Sequence, residues 1–479
     1  MGRKLDLLPM RGKDNNGKKG IYERDFEVMK PYPSYKDPGV EWIGEIPNSW
    51  DVTKIKYETI IPVQYGINIG SESYVDEGIR FIRTTDITDD GNLIDGGVYL
   101  GSDDVEDIYK IKINDFLISR SGTLGRTYLH DNEDEMTYGG YLVRFNFGDK
   151  AKSRFIFYYS KTKNFEDWLS LNTIQSTIGN VNGQKYSNLS LPLPPLPEQK
   201  QIVSFLDHKT QKIDELINKT EKKIELLKEK RTALIDHCVT KGLPAVERAK
   251  AGLNPNVKMK DSGVEWIGEV PSHWKVLNGS YIGLYSKGKG IKKDEVVEVG
   301  HPCIRYGEIY TRYELKIDST ISFISDETTT NSVSVKTGTL LLTGSGETKE
   351  EIGKCIVYLG DEILWVGGDI IVIKPTEHID SLFLSYLINS ECIRVQREMS
   401  GKGEIVVHIY SKNFKEMKYP IPTIEEQHQI VEYLDEQTQK IDTSIEKETQ
   451  RIELLKEYRQ SLISEVVTGK IDLSADRQV

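Results

Sequence analysis

Two segments of this chain are each written twice. Gly39-Val40-Glu41-Trp42-Ile43-Gly44-Glu45-Ile46-Pro47-Asn48-Ser49-Trp50 returns as Gly263-Val264-Glu265-Trp266-Ile267-Gly268-Glu269-Val270-Pro271-Ser272-His273-Trp274, and Glu198-Gln199 returns as Glu426-Gln427 at the head of a second helical stretch. Nothing local to a fold demands such copies. The chain is a tandem duplication whose half-repeats far exceed the short units of solenoids. With 479 residues it is too long for one hydrophobic core and suggests three or four structural units. A chain that does one thing twice, a fixed distance apart, is suited to measuring something.

Composition removes several function classes. No run of about 18 apolar residues is present, which sets aside a membrane span, and residues 1–30 lack the apolar stretch of a secretory signal and read as a flexible tail. Cys238, Cys303, Cys355 and Cys392 lie far apart with no paired spacing, so neither a zinc site nor a disulfide framework is indicated, and the cytoplasm is the expected compartment. A net charge of −11 argues against a protein that coats nucleic acid by bulk electrostatics. Positive charge for such a partner has to be local or supplied by other subunits.

After each Trp box comes a region of about 150 residues with short alternating runs such as Ile79-Arg80-Phe81-Ile82-Arg83 and Gly-marked turns, which predicts mixed α/β domains rich in sheet. Each region ends in a Pro-punctuated strand, Leu189 to Pro195 and Met417 to Pro422. A long helix without internal Gly or Pro follows each strand. Its apolar stripe runs through Ile202, Leu206, Ile213, Leu216, Ile217, Ile224, Leu227 and Leu234 in the first copy. In the second it runs through Ile430, Leu434, Ile441, Ile445, Ile452, Leu455 and Leu462. Lys209, Thr220 and Arg231 interrupt the first stripe, and Gln437, Glu448 and Arg459 interrupt the second at matching positions. About 60 Å of helix exceeds what a small domain can bury, so the simplest partner for each stripe is the other helix, as an antiparallel coiled coil. The plainer alternative is that each helix packs only on its own domain.

Positional alignment places the divergence between copies in loops. The boxes match at an offset of 224, Gly66/Gly288 and Arg83/Arg305 at 222, and Gly139-Gly140/Gly367-Gly368 and the helices at 228. Outside the boxes and helices few side chains agree, so one scaffold carries two different surfaces.

Catalytic groups are not apparent. Gly353-Lys354-Cys355 fails as the end of a phosphate loop, Asn254-Pro255-Asn256-Val257 lacks the second Pro and aromatic residue of an amino-methyltransferase motif, and the eight His occur singly. Basic, amide and aromatic residues beside Gly-marked loops are the chemistry on offer. In the second domain these are Lys287, Lys289, Lys292, Lys293, Arg305, Tyr306, Arg312, Ser345, Lys349 and Lys354, and in the first Gln64, Tyr65, Asn68, Arg80, Arg83, Arg120, Ser121 and Arg126. Lysines neutralise phosphates, Arg can pair with guanine in the major groove, and Gln or Asn with adenine. On this basis Arg83→Ala or Arg305→Ala should relax specificity and Lys289→Ala should weaken binding without changing it. A non-DNA coiled-coil scaffold with two adhesion domains is the alternative, slightly favoured by net acidity.

The Gly-Val-Glu-Trp-Ile-Gly-Glu-x-Pro-x-x-Trp box, the passage from Pro192 to Ile202, and Leu206-Asp207 and Ile213-Asp214 within the helix resemble specificity subunits of Type I restriction-modification systems, from Pro31 to the C-terminus. The resemblance implies an α+β chain with two tandem mixed α/β target-recognition domains separated by two long helices in an antiparallel coiled coil, a pseudo-twofold internal repeat. The expected divisions are a tail at 1–30, recognition domains at 31–196 and 259–424, helices at 197–242 and 425–470, a linker at 243–258 and a C-terminal tail at 471–479. It further implies a subunit that is not catalytic, binds double-stranded DNA at a bipartite site and holds two methyltransferase subunits and up to two restriction subunits. S-adenosylmethionine for adenine N6 methylation, and ATP and Mg2+ for translocation and cleavage, would sit on those partners, and this chain would bind no cofactor or metal. Deleting one heptad from both helices should then shift the preferred spacer while each half-site keeps its sequence, with methylation mapping as the readout and unchanged spacing as the contrary result.

Overall fold

The computed structural model describes residues 30–173, 179–250, 252, 254–346, 352–401 and 407–473. The tail expected at 1–30 lies outside them save for Lys30, as does Lys349. The chain divides into two compact units, one holding residues up to Thr220 together with Gln450 onward, the other Glu221–Thr449. Both long helices therefore contribute to both units.

The two units repeat one topology. In the first, a four-stranded sheet orders Gln64–Tyr65, Leu142–Asn146, Asp115–Ser119 and Thr127–Leu129, and a three-stranded sheet orders Val98–Leu100, Ile79–Ile82 and Met136–Tyr138. In the second the counterparts are Gly283–Lys287, Ile370–Pro375, Thr339–Thr343 and Cys355–Tyr358, with Lys316–Ile317 added. Its other sheet carries Ser322–Ile324, His301–Ile304 and Leu364–Val366, flanked by Val296–Val297 and Val333–Val335. The three-stranded sheet and its counterpart in the second unit each contain one parallel pair, Ile79–Ile82 with Met136–Tyr138 and His301–Ile304 with Leu364–Val366. Buried apolar runs such as Leu340-Leu341-Leu342 and Ile370-Ile371-Val372-Ile373 are covered on both faces, which is why they read as continuous rather than alternating.

The repeated glycines mark close backbone approach. A Cβ on Gly66 would lie 2.1 Å from the Tyr138 carbonyl oxygen, and one on Gly288 2.0 Å from that of Gly367. Only glycine fits there. The Pro-punctuated exits are short antiparallel pairs, with Pro192 opposite Val52 and Pro420 opposite Val276.

The long helices span Leu196–Lys241 and Ile424–Val467. Within the second unit they run antiparallel, since Lys223 pairs with Glu448 at 2.5 Å and Arg231 with Asp442 at 2.9 Å. Within the first unit Arg459 pairs with Asp214 at 2.9 Å. The arginines that interrupt the two stripes thus make equivalent cross-helix ion pairs. Packing on the recognition domains also occurs, at the helix ends: Ile430, Leu434, Cys238 and Val239 belong to the core of the second domain. Ile202, Leu206, Ile213, Ile441, Ile452, Leu455 and Leu462 are buried, while Ile224, Leu227, Leu234 and Ile445 are half-buried. Leu216 departs from the expected stripe. It is 37% exposed and Ile217, at 9%, takes the inward position.

Part of the segment expected as a linker at 243–258 is packed. Leu243 is buried, Ala245–Lys250 is a helical turn, and the Arg248 guanidinium is ion-paired in the interior. The C-terminal tail also starts ordered, because Ile471 is buried and the Asp472 N–H donates to the Lys30 carbonyl at 2.8 Å.

Asp236 of the first long helix accepts the Glu391 N–H at 2.6 Å and so caps Glu391–Ser400, whose own N-cap Ser390 makes no side-chain cap bond. Burial pushes the Asp236 carboxyl up to about 6. Its folded value lies above the unfolded one, so this group favours folding most at low pH, and that contribution falls as pH rises toward 6. Asp236→Asn, which retains the acceptor, should flatten this pH dependence in hydrogen exchange of residues 391–400, and an unaltered profile would contradict the assignment.

Candidate nucleic-acid faces and the junctions that hold them

Each Trp box folds the same way. Asp37 accepts the Gly39 N–H at 2.8 Å and Asp261 the Gly263 N–H at 2.9 Å, and both glycines sit at positive φ, 69° and 73°. The turn sends the last Trp of each box inward. Trp50 and Trp274 are 0% and 1% exposed, and each indole N–H donates to the acid of the repeated Glu-Gln pair, Trp50 to Glu198 at 2.9 Å and Trp274 to Glu426 at 3.0 Å. The neighbouring Gln199 and Gln427 amides close the preceding turn on the Pro194 and Pro422 carbonyls. Trp42 is half-buried and Trp266 is 37% exposed, so the first Trp of each box remains near the surface.

Beyond the Trp–Glu bond the two junctions differ. Glu426 also receives Arg248 at 3.0 Å and His273 at 2.8 Å, whereas Glu198 accepts the Tyr32 hydroxyl at 2.5 Å. Burial, with Glu198 adjacent, holds the Tyr32 hydroxyl well above its ordinary value. A second repeated anchor lies nine residues, about two and a half turns, further along each helix. Tyr158 donates to Asp207 and Tyr386 to Asp435, both at 2.6 Å, tying each domain to its long helix. Thr210 and Thr438 return their hydroxyls to the Leu206 and Leu434 carbonyls.

The sequence-selected residues sort into three groups. Some hold the domain together. Arg83 makes a bidentate pair with buried Asp86, at 3.0 and 2.8 Å, and Arg305 repeats it more loosely with buried Glu308 at 3.5 Å. Gln64 donates to the Ile108 carbonyl at 3.0 Å and is hydrogen-bonded by Arg144. Ser345 is buried against His408 Nδ1 at 2.9 Å, and Lys354 donates to the Tyr310 carbonyl at 3.2 Å.

A second group lies on acidic surroundings. Arg80 lines a cavity of about 740 Å³ whose walls include Asp90, Asp131, Asp134, Asp207, Asp214 and Glu215, and Arg126 pairs with Asp89 at 3.1 Å. These six carboxylates outnumber the three guanidinium groups that also line the cavity, Arg80, Arg154 and Arg459, which disfavours phosphate there.

The third group converges on one face in each unit. In the first, the Arg120 guanidinium stacks on the Tyr65 ring at 4.9 Å, Asn68 lies against Gly140, and Ser121 bridges Asn180. Tyr141, 67% exposed and directly after the repeated Gly139-Gly140, belongs to the same face. Sequence reasoning passed over Tyr141, although that glycine pair pointed to it. In the second unit the loop from Lys287 to Lys293 runs beside Gly367-Gly368 and Arg305, through the Gly368 N–H to Gly290 carbonyl bond of 3.0 Å and the approach of Gly367 to Arg305 and Ile291. Ile291 is buried at φ 59°, an unfavourable setting for a β-branched residue that fixes the loop and leaves Lys289, Lys292 and Lys293 exposed. Tyr306 is 44% exposed beside them, Lys287 pairs with Asp369 at 3.2 Å, and Arg312 is exposed at the end of the helix that Tyr306 opens.

Among the described residues no cluster of His, Cys, Asp and Glu could hold a metal, and no helix is long and apolar enough to cross a membrane. The thiols of all four cysteines are buried and pushed up by burial.

A family model for the Type I restriction modification DNA specificity domain matches residues 65–226 and again 271–454. The chain is 28% identical to the MjaVIII specificity subunit of a type I restriction enzyme from Methanocaldococcus jannaschii, over 66% of this chain and 70% of that protein. It is 22% identical to the EcoKI specificity subunit from Escherichia coli K12, over 89% and 90%. A chain from a structure concerning complex assembly and conformational transition of the type I R-M system superposes with a TM-score of 0.63 at 14% identity, covering 88% of this chain and 98% of that one.

Removing the Glu426 carboxylate strands a buried Trp N–H and a buried guanidinium together. Glu426→Ala should therefore cost about 3–5 kcal/mol, and Trp274→Phe, which leaves Arg248 and His273 paired, about 1.5–3 kcal/mol through the lost bond to a charged acceptor. Calorimetric unfolding of the full chain gives both values, and the reverse ranking would show that the acid is not the centre of the junction.

Proposed function

The chain belongs to the Type I restriction-modification DNA specificity family, and on that premise we propose that its two recognition units read the two halves of a split duplex site. It is the non-catalytic sequence-specificity subunit of such a system. One observation carries the bipartite reading: the Trp–Glu and Tyr–Asp anchors are the same in both units while the faces they support differ in chemistry.

On the first face Arg120, Asn68, Ser121 and Tyr141 offer donors, acceptors and an aromatic edge suited to base recognition in the major groove. On the second, Lys289, Lys292 and Lys293 supply phosphate neutralisation around Tyr306 and Arg312. The bidentate pair of Arg83 with buried Asp86, and the single longer ion pair of Arg305 with Glu308, suit these two arginines to holding the loops that read bases. The local lysine loop also answers the net acidity of the chain: charge is concentrated where the backbone is fixed.

The repeated features are the natural seats for equivalent partners. Two methyltransferase subunits, each meeting a box with Trp42 or Trp266 near its surface, would methylate adenine N6 from S-adenosylmethionine bound to themselves. Up to two restriction subunits would bring ATP and Mg2+, and the complex would act in the cytoplasm.

Exchanging residues 51–190 for the corresponding domain of a relative should change one half of the recognised sequence and leave the other, as read by methylation mapping; a change in both halves would defeat the modular reading. Lys289→Ala should reduce the salt slope of DNA binding by about 1 with no change of sequence preference, whereas Arg120→Ala should relax one position of its half-site by about 1–3 kcal/mol. Identical behaviour of the two variants in competition binding would refute this sorting.

A further inference from the structure

Two side chains of the first face stand on a backbone junction that the second unit repeats without them. In the first unit the Arg120 N–H donates to the Tyr141 carbonyl at 2.8 Å, the Val181 N–H to the Arg120 carbonyl at 3.0 Å, and Ser121 bridges Asn180. In the second the Gly344 N–H donates to the Asp369 carbonyl at 2.7 Å, the Ile409 N–H to the Gly344 carbonyl at 3.0 Å, and Ser345 stands opposite His408. The backbones match bond for bond. Gly344 and Asp369 occupy the places of Arg120 and Tyr141, at offsets of 224 and 228, so the guanidinium and the exposed aromatic are gone. What the second unit offers there is an imidazole, since His408 takes the place of Asn180.

His408 is exposed, and its Nδ1 lies 2.9 Å from the hydroxyl of buried Ser345. Among the described residues that hydroxyl has no other acceptor, so it donates to Nδ1 and the ring carries its proton on Nε2. The Tyr310 hydroxyl donates to the Ser345 carbonyl at 2.7 Å, and the exposed Tyr410 ring faces the imidazole at 6.4 Å and 21°. One edge of the ring is held and the other is a directed donor. Lys287 pairs with Asp369 at 3.2 Å, and the Asp369–Gly344–Ile409 bonds tie the lysine loop to the strand that carries His408. Resting on the reading of this unit as a half-site reader, we propose that His408 reads a base of the second half-site, its Nε2–H donating to guanine, and that Ser345 positions the ring. Guanine presents two acceptors and no donor in the major groove, the pattern that suits a lone donor.

The test is selection from duplexes randomised in both half-sites, by the full chain assembled with its methyltransferase subunits. His408→Ala should lower the preference for guanine at one position of the second half-site by roughly tenfold and leave the first half-site as it was. That unchanged half also reports that the variant is folded. Ser345→Ala, which keeps the imidazole but frees it, should weaken the same position by less, and Lys289→Ala should leave that preference untouched. A His408→Ala profile identical to that of the unaltered chain, or a loss spread evenly over the second half-site, would overturn the assignment while the bipartite reading stands. No preferred sequence in the unaltered complex would instead remove the bipartite reading, and this assignment with it.

Discussion

A buried indole N–H pointed at a buried or half-buried carboxylate is the bond on which the rest of this molecule depends. An interior carboxylate is costly unless several donors meet it, and the chain meets that demand twice with the same Trp and then with different additional donors. The bond ties the box before the domain to the first turn of the long helix, and the Gln beside the acid fastens that turn to the Pro-punctuated exit. Because the acid sits at the head of the helix, the helix axis is fixed relative to the domain by a contact with strict geometry. The Tyr–Asp bond about two and a half turns later adds a second point of attachment, and two points on one helix set its rotation as well as its position.

Variation is then free to collect elsewhere. The loops that differ in length between the copies hang from strands whose close approaches are fixed by Gly66 and Gly288 and whose exits are fixed by Arg83–Asp86 and Arg305–Glu308. A scaffold so constrained tolerates replacement of Tyr65, Asn68 and Arg120 on one face by a strained lysine loop on the other. Faces of different chemistry can thus be carried without change to the anchors.

Much of the organisation was legible because duplication turns a single sequence into an alignment of two. The box, the Glu-Gln helix start, the stripe and its interruptions were all visible as repeats, and Arg231 and Arg459 proved to be matched cross-helix ion pairs. What repetition could not show was which partner each residue meets. Arg83 and Gln64 carry the right groups for DNA, yet Asp86 and Arg144 claim them, and that is a property of tertiary placement. Residues 243–258 had the composition of a linker, but Arg248 is drawn inward by Glu426, a contact 178 residues away in sequence. Leu216 fits the helical period, and the neighbouring Ile217 faces inward in its place, since a stripe on a long helix drifts around the axis.

The central claim is that one chain specifies two independent short sequences at a set separation. Methylome sequencing of the host, with and without this gene and with its partner genes intact, tests it most directly. A methylated adenine motif that is lost on deletion and consists of two defined segments around an undefined spacer is the predicted result. A continuous motif, or methylation unaffected by the deletion, would contradict it.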